Sequence, residues 1–131
     1  MAAGRTPLAA LAGALLLWAA GAAAASPPAV AIIIDDLGDR LDAGERALAL
    51  PGPLTYSFLP HTPYSARLAR RAHALGKEVM LHLPMEAVAG NRLGPGAVTL
   101  HMNQAQLLRT VRSDLAAVPH VRGINNHMGS L

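Results

Sequence analysis

Two adjacent aspartates, Asp35 and Asp36, follow directly after an apolar run that contains three isoleucines. A buried carboxylate without a partner costs several kcal/mol, so a pair at the end of such a run requires a cation, hydrogen-bond donors or water. A divalent metal is one partner that meets this need. The alternative is that both side chains cap the turn at Leu37 and Gly38 by accepting backbone hydrogen bonds.

Other polar residues follow three further apolar segments. They are His61, His82 with Glu86, and the run Asn125, Asn126 and His127. Carboxylate and imidazole ligands with one position left open are typical of catalytic zinc and related metals. Because the chain has no cysteine, a metal would have to be held by these two ligand types.

Each of these residues also has a simpler interpretation. His61 stands between two prolines and could be a turn residue, and Glu86 could be a solvated loop acid. Asn125 and Asn126 could form a turn, orient His127 or bind substrate hydroxyl groups.

The hydrophobic pattern predicts a scaffold that would bring these residues together. Strands are expected at residues 29–34, 54–59, 78–83 and 121–125, and helices at 41–50, 64–75 and 104–118. Strands that alternate with helices indicate an α/β fold with a parallel sheet and right-handed crossovers. In such folds ligands bind beyond the carboxyl ends of the strands, which is where the aspartates and three of the histidines are expected.

Local signals support two of the predicted helices. Gly76 is expected to end the second helix, and Asn103 to cap the third. Four apolar residues of the third helix recur at helical spacing and predict its buried face: Leu107, Leu108, Val111 and Leu115.

The first 25 residues are typical of an export signal. Arg5 supplies a positive charge, residues 7–20 form an apolar run, and residues 23–25 are three alanines that offer a cleavage site. The alternative is a membrane anchor that stays attached, but the apolar run is shorter than the roughly 20 residues that a bilayer span needs. The prediction is a signal peptide at 1–25, one domain at 26–131, no stable membrane span after cleavage, and a periplasmic or secreted location.

The composition argues against binding to nucleic acid. The net charge is only +3, the arginines are scattered, and aromatic residues make up 3% of the chain. A nucleic-acid-binding domain usually shows a concentrated basic patch or aromatic side chains for base stacking.

Four segments in this order, "IIIDDLG", "TYSFLPHTPYS", "VMLHLPME" and "GINNHMGS", resemble the divergent polysaccharide deacetylase family of the bacterial envelope. The resemblance implies a parallel (β/α) barrel of the polysaccharide deacetylase type. The four predicted strands would be only the N-terminal half of that barrel, so the resemblance also implies a truncated chain.

The resemblance implies roles for individual residues. Asp35 is similar to the general base of polysaccharide deacetylases and Asp36 to a metal ligand. The family usually supplies two histidine ligands from one short stretch, whereas His82 has no second histidine close behind it, so His127 is taken as the other ligand. His61, Glu86, Asn125 and Asn126 are expected to contact substrate.

The implied activity is hydrolysis of an acetyl amide or ester on an envelope polysaccharide or a peptidoglycan-type sugar, with a divalent metal and zinc as the expected ion. One alternative is an exported carbohydrate-binding or scaffold protein without catalysis. Another is a phosphate-ester hydrolase, which would need an arginine or lysine at the strand ends to contact the phosphoryl oxygens. The sequence offers no good candidate for that role, and Arg40 comes nearest to one. A half barrel would also leave open sheet edges, which predicts self-association.

Overall fold

The computed structural model describes residues 27–88 and 92–131. The predicted signal peptide lies outside these ranges. Strands and helices alternate along the described chain, which confirms the predicted α/β fold class. The elements are β1 (Ile33–Leu37), α1 (Leu41–Leu48), β2 (Thr55–Phe58), α2 (Ser65–Ala74), β3 (Glu78–Met85), α3 (Gln104–Ala117) and β4 (Gly123–Met128).

The strands form one parallel sheet in which their spatial order follows the chain, β1-β2-β3-β4. Each helix therefore connects two neighbouring strands, as in the first half of a (β/α) barrel. The pairing of β3 with β4 aligns His82 with Asn125 and Pro84 with His127. This register decides which polar side chains can meet.

The hydrophobic core lies between the helices and one face of the sheet. The strands contribute Tyr56, Phe58, Val79, Leu81 and Leu83, and the helices contribute residues such as Leu48, Leu68 and Ala72. All of these side chains are buried. Helix α1 approaches α2 closely because Gly44 has no side chain, and a Cβ atom there would overlap the side chain of Leu68.

The opposite face of the sheet carries the polar side chains. Successive side chains of a strand alternate between the two faces, so the Ser57 side chain points to the face opposite to that of Tyr56 and Phe58. His82, Asn125 and His127 fall on the same face as Ser57 by register. Ser57 and His82 are nevertheless buried, and both therefore need hydrogen-bond partners.

The boundaries of two strands differ from the prediction in a way that matters. Strand β1 begins at Ile33 rather than residue 29 and runs through both aspartates, and β4 contains His127 rather than ending before it. A short, continuous apolar run such as residues 29–34 predicts a strand that is covered on both faces. That expectation is wrong for Ile32 and Ile33, which are 52% and 40% exposed, because β1 is an edge strand of the sheet.

The buried face of α3 is also different from the predicted one. Leu107, Leu108 and Leu115 are substantially exposed, whereas Asp114 is completely buried. The helix is turned so that the stripe formed by Val111, Asp114 and Val118 faces the sheet. Because Asp114 is charged, a search for apolar spacing cannot find this stripe.

The predicted ends of two helices are confirmed. The Asn103 side chain accepts a bond from the Gln106 backbone at 2.9 Å, and the Gln106 side chain returns one at 2.8 Å, which completes a capping box. Gly76 follows α2 with a φ of 71°, the left-handed conformation in which helices often end. Within residues 27–88 and 92–131, none of the helices is long and apolar enough to cross a membrane.

Candidate metal centre

An irregularity in β1 directs both aspartates to the same site. The pairing of β1 with β2 shifts between Ile34 and Leu37, and Asp36 has a φ of 61°. In a regular strand two consecutive side chains point to opposite faces, but a bulge re-aims one of them. Aspartate is one of the few residues that adopt left-handed backbone readily. The sequence therefore places two adjacent carboxylates where a regular strand would present one.

Three side chains from three strands converge beside this bulge. Oδ1 of Asp36 lies 2.9 Å from Nδ1 of His127 and 3.2 Å from Nε2 of His82. The two histidine nitrogens are themselves 3.2 Å apart. The three atoms thus form a nearly equilateral triangle, and each of them can donate an electron pair to a metal ion.

The spacing of this triangle fits a bound divalent metal. In a tetrahedral site with metal–ligand bonds of about 2.0–2.1 Å, two ligand atoms lie about 3.3 Å apart, and in an octahedral site with similar bonds adjacent ligands lie about 2.9 Å apart. The observed separations of 2.9 to 3.2 Å lie between these two values. One carboxylate and two imidazoles also form a donor set that is common for zinc and related metals.

Asp35 lies beside the triangle rather than in it: its Oδ1 is 3.8 Å from Nδ1 of His82, and Asn125 connects the two side chains. The Asn125 amide nitrogen donates to Oδ1 of Asp35 at 2.8 Å, and its oxygen lies 3.0 Å from Nδ1 of His82. The hydroxyl of Ser57 donates to the same amide oxygen. Asp35 keeps 42% of its side chain exposed, so its carboxylate remains open to water or to a ligand.

A cavity of about 320 Å³ opens beside the triangle. Its walls include the proposed ligands Asp36 and His127 together with Asp39, Thr62 and Arg92. The volume falls at the lower end of the range usual for small-molecule sites, about 300–1,000 Å³. The loop that carries Arg92 is attached to the sheet farther along, because Val98 pairs with Met85 beside β3.

His61 points to a different partner from the one expected of a substrate-binding residue. Its Nε2 lies 2.9 Å from Oδ1 of Asp114 on α3. Asp114 is fully buried, and that burial raises the pKa of its carboxyl group, although the hydrogen bond and the charge of His61 counteract part of the rise. The pair also packs against Gly96, where a Cβ atom would overlap the Asp114 carboxylate. His61 thus holds a helix and a loop together.

Two other predicted contact residues are engaged in local structure. Oε2 of Glu86 accepts a bond from the backbone of Leu100 at 2.7 Å and so fastens the loop that follows β3. The Asn126 side chain donates to the backbone oxygen of Met128 at 2.6 Å. Neither residue lines the cavity beside the triangle.

A match to a known protein family covers nearly all of the described chain. A sequence model described as divergent polysaccharide deacetylase matches residues 32–131. The chain belongs to the divergent polysaccharide deacetylase family. This result agrees with the resemblance of the four sequence segments.

Two bacterial proteins are related to this chain. The chain is 38% identical over 101 residues to the protein YibQ of Escherichia coli K12, covering 77% of this chain and 32% of YibQ. It is 32% identical over 101 residues to a protein of Haemophilus influenzae, covering 77% of this chain and 36% of that protein. The chain therefore spans about a third of the length of these relatives.

A solved structure supports the fold of this deacetylase-family chain. The crystal structure of the protein ATU2773 from Agrobacterium tumefaciens superimposes with a TM-score of 0.70 and 22% sequence identity. The match covers 76% of this chain and 42% of that structure. At this level of identity the comparison establishes the shared fold alone.

Three residues of this deacetylase-family site were not singled out in the sequence. Ser57 could have been noticed, because it is a polar residue between two buried aromatic residues of a strand. Asp114 could have been noticed as the charged member of the stripe with Val111 and Val118. Arg92 carries no comparable signal, since its position depends on how the loop pairs beside β3.

Proposed function

We propose that this chain provides the metal centre of an exported hydrolase that removes acetyl groups from an envelope polysaccharide. The proposed ion is zinc, held by Asp36, His82 and His127, and Asp35 is the proposed general base. The observation that carries the proposal is the triangle of ligand atoms, 2.9 to 3.2 Å apart, with a second carboxylate close to it. Family membership supports the carbohydrate substrate, and the N-terminal sequence pattern supports export.

The proposed chemistry divides the work between the two aspartates. A divalent cation, when bound, polarises a carbonyl group and makes water more acidic. Asp35 accepts the proton that water loses as its oxygen attacks the acetyl carbon. The bond from that carbon to the sugar nitrogen or oxygen then breaks, and the leaving atom takes up a proton. The products are acetate and a free amine or hydroxyl group on the sugar.

The positions of the side chains suit these roles. Asp36, His82 and His127 direct their ligand atoms toward one another, and among residues 27–88 and 92–131 these atoms have polar contacts only with each other. Asp35 is bound on one side by the Asn125 amide and exposed on the other, so it is oriented and accessible at once. The cavity beside the triangle gives a substrate access to Asp36 and His127.

Acetate release tests the proposal directly. The full chain is incubated with acetylated chitooligosaccharides and, separately, with an acetylated xylan, after removal of metal and after addition of Zn²⁺. We expect acetate to form only with Zn²⁺ and to be lost in Asp36→Ala. A protein that fails to bind Zn²⁺ in a direct titration would contradict the metal centre, and one that binds Zn²⁺ but releases no acetate from either substrate would contradict the deacetylase activity.

A further inference from the structure

Asn125 occupies a position that links the proposed base to a proposed metal ligand. Its amide contacts Asp35 on β1, Ser57 on β2 and His82 on β3, while Asn125 itself lies on β4. One small side chain thus joins all four strands. This connection depends on the register of the sheet, which places Asn125 directly beside His82.

The partners of the amide fix which way it points. An ionised carboxylate only accepts hydrogen bonds, so the group that faces Asp35 at 2.8 Å has to be the amide NH₂. The amide oxygen then faces Ser57 and His82. Both lone pairs of that oxygen are used, one by the Ser57 hydroxyl and one by the histidine ring.

The orientation of the amide in turn fixes the tautomer of His82. Nδ1 lies 3.0 Å from an oxygen that can only accept, so Nδ1 has to carry the proton. In a neutral imidazole the other nitrogen, Nε2, then presents a lone pair. That nitrogen is the one that lies 3.2 Å from Asp36 and from His127. The ring is therefore held in the form that a metal requires.

We propose that Asn125 is a positioning residue that orients Asp35 and fixes His82 as the Nδ1-protonated tautomer, with Nε2 free for metal. This inference rests on the metal centre of the proposed function. It differs from a role in substrate binding, because the amide is occupied by three protein groups. It also explains how the proposed base is aligned with the proposed ligands, because one amide bonds to both Asp35 and His82.

Two variants separate the contribution of the amide NH₂, which bonds to Asp35, from that of the amide oxygen, which bonds to His82. Asn125→Ala removes both bonds, so His82 should lose its fixed tautomer. Zn²⁺ affinity should fall by about 10-fold to 100-fold, as is usual when a residue that orients a metal ligand is removed. Asn125→Asp keeps an oxygen for His82 but places a second carboxylate beside Asp35. It should keep the tautomer and bind Zn²⁺ within a few-fold of wild type, while acetate release falls.

The tautomer is measured on the metal-free full chain by long-range ¹H–¹⁵N correlation of the histidine side chains, and the affinity by competition between the protein and a chromophoric Zn²⁺ chelator. Asn126→Ala is the matched control, because that amide bonds only to the Met128 backbone among the described residues, and it should leave both readouts unchanged. If Asn125→Ala does not fold, Asn125→Gln replaces it, since the longer side chain cannot hold the same three contacts.

The outcomes distinguish this inference from the proposed function. A change of the His82 tautomer and weaker Zn²⁺ binding in Asn125→Ala or Asn125→Gln support the inference even if the wild-type chain releases no acetate. Unchanged tautomer and affinity in these variants overturn it, even if the wild-type chain is an active deacetylase. A wild-type spectrum that shows the proton of His82 on Nε2 overturns it as well.

Discussion

The rings of His82 and His127 meet nearly at right angles, with 4.9 Å between their centroids and 71° between their planes. The two residues lie on neighbouring parallel strands but are not opposite each other, because His127 is aligned with Pro84, two residues beyond His82. His82 therefore reaches the meeting point with its outer nitrogen, Nε2, and His127 with its inner nitrogen, Nδ1. The stagger of the strands is what allows two imidazoles and Asp36 to share one point.

This arrangement predicts different effects for the two adjacent aspartates. Asp36→Ala removes a corner of the triangle and should abolish Zn²⁺ binding, whereas Asp35→Asn should leave binding largely intact because Asp35 is not a corner. Isothermal titration of the full chain with Zn²⁺ measures both. Where acetate release is detectable, Asp35→Asn should lower kcat by about 100-fold or more, the scale expected for loss of a general base.

Two other results would require a different account of these residues. Equal loss of Zn²⁺ in both variants would make Asp35 a ligand rather than the base. Retention of Zn²⁺ in both would favour the alternative in which the aspartates only cap the turn at Leu37 and Gly38.

Gly38 is predicted to be essential for the turn that follows the aspartates. It has a φ of 133°, and a Cβ atom there would overlap the hydroxyl groups of Thr62 and Ser65. Gly38→Ala should lower the free energy of unfolding by about 2 kcal/mol or more, because it combines backbone strain with a steric clash. Urea denaturation followed by circular dichroism measures the loss.

Gly52 offers a matched control for this substitution. It also has a positive φ, 92°, but no atom of the part of the chain that the structure describes lies within 4 Å of a Cβ atom built there. Gly52→Ala should therefore cost only the backbone term, about 1 kcal/mol. An equal loss in the two variants would show that the contacts with Thr62 and Ser65 contribute nothing.

The order of the elements could be predicted because each one has a local signal. Apolar runs, helical spacing, Asn103 and Gly76 identify the strands and helices from neighbouring residues alone. The grouping of Asp36, His82 and His127 follows from one further rule, that the carboxyl ends of parallel strands lie at the same edge of the sheet.

Features that depend on contacts between distant residues could not be predicted in the same way. The bulge at Asp36 and the bonds of Asn125 depend on the strand register, to which no single segment of sequence points. The turned face of α3 depends on His61, which supplies a partner for the buried Asp114. Arg92 reaches the cavity only because its loop is attached beside β3.

Exposed apolar side chains predict that the chain self-associates. Leu107 and Leu108 on α3 are 41% and 46% exposed, and Ile32 and Ile33 lie exposed beside an edge strand. Exposed strand edges and apolar patches favour association between molecules. Sedimentation velocity at rising protein concentration should show a growing fraction of larger species, and Leu108→Glu should reduce it. A monomer at every concentration, with a sharp and reversible thermal transition, would contradict this expectation.

Export is tested by the N-terminus of the mature protein. Cleavage after the three alanines at 23–25 predicts that protein from the envelope fraction begins at Ser26 or within a few residues of it. Edman sequencing identifies that residue. Ala25→Leu places a large side chain at the expected cleavage site and should cause the uncleaved form to accumulate. Envelope protein that begins at Met1 or Ala2 would show that the segment is retained.

The buried Asp114 predicts a particular dependence of stability on pH. Burial raises the pKa of its carboxyl group in the folded protein, with only partial compensation by His61. A group with a raised pKa stabilises the fold fully below its unfolded pKa, about 3.9, and loses that contribution as the pH rises through the folded pKa. The free energy of unfolding of wild type relative to Asp114→Asn should therefore fall as the pH is raised above about 4.

Asp42 provides a control of opposite sign for this last measurement. Its hydrogen bond with Arg46 is the main cause that lowers the pKa of this exposed carboxyl group. Its contribution to stability is therefore present above its unfolded pKa and is lost as the pH falls through the folded pKa. Urea titrations across the acidic range should show the free energy of unfolding of wild type rising relative to that of Asp42→Asn as the pH rises. Relative to that of Asp114→Asn, it should fall. Parallel trends for the two variants would show that the interaction with His61 outweighs the burial and lowers the pKa of Asp114.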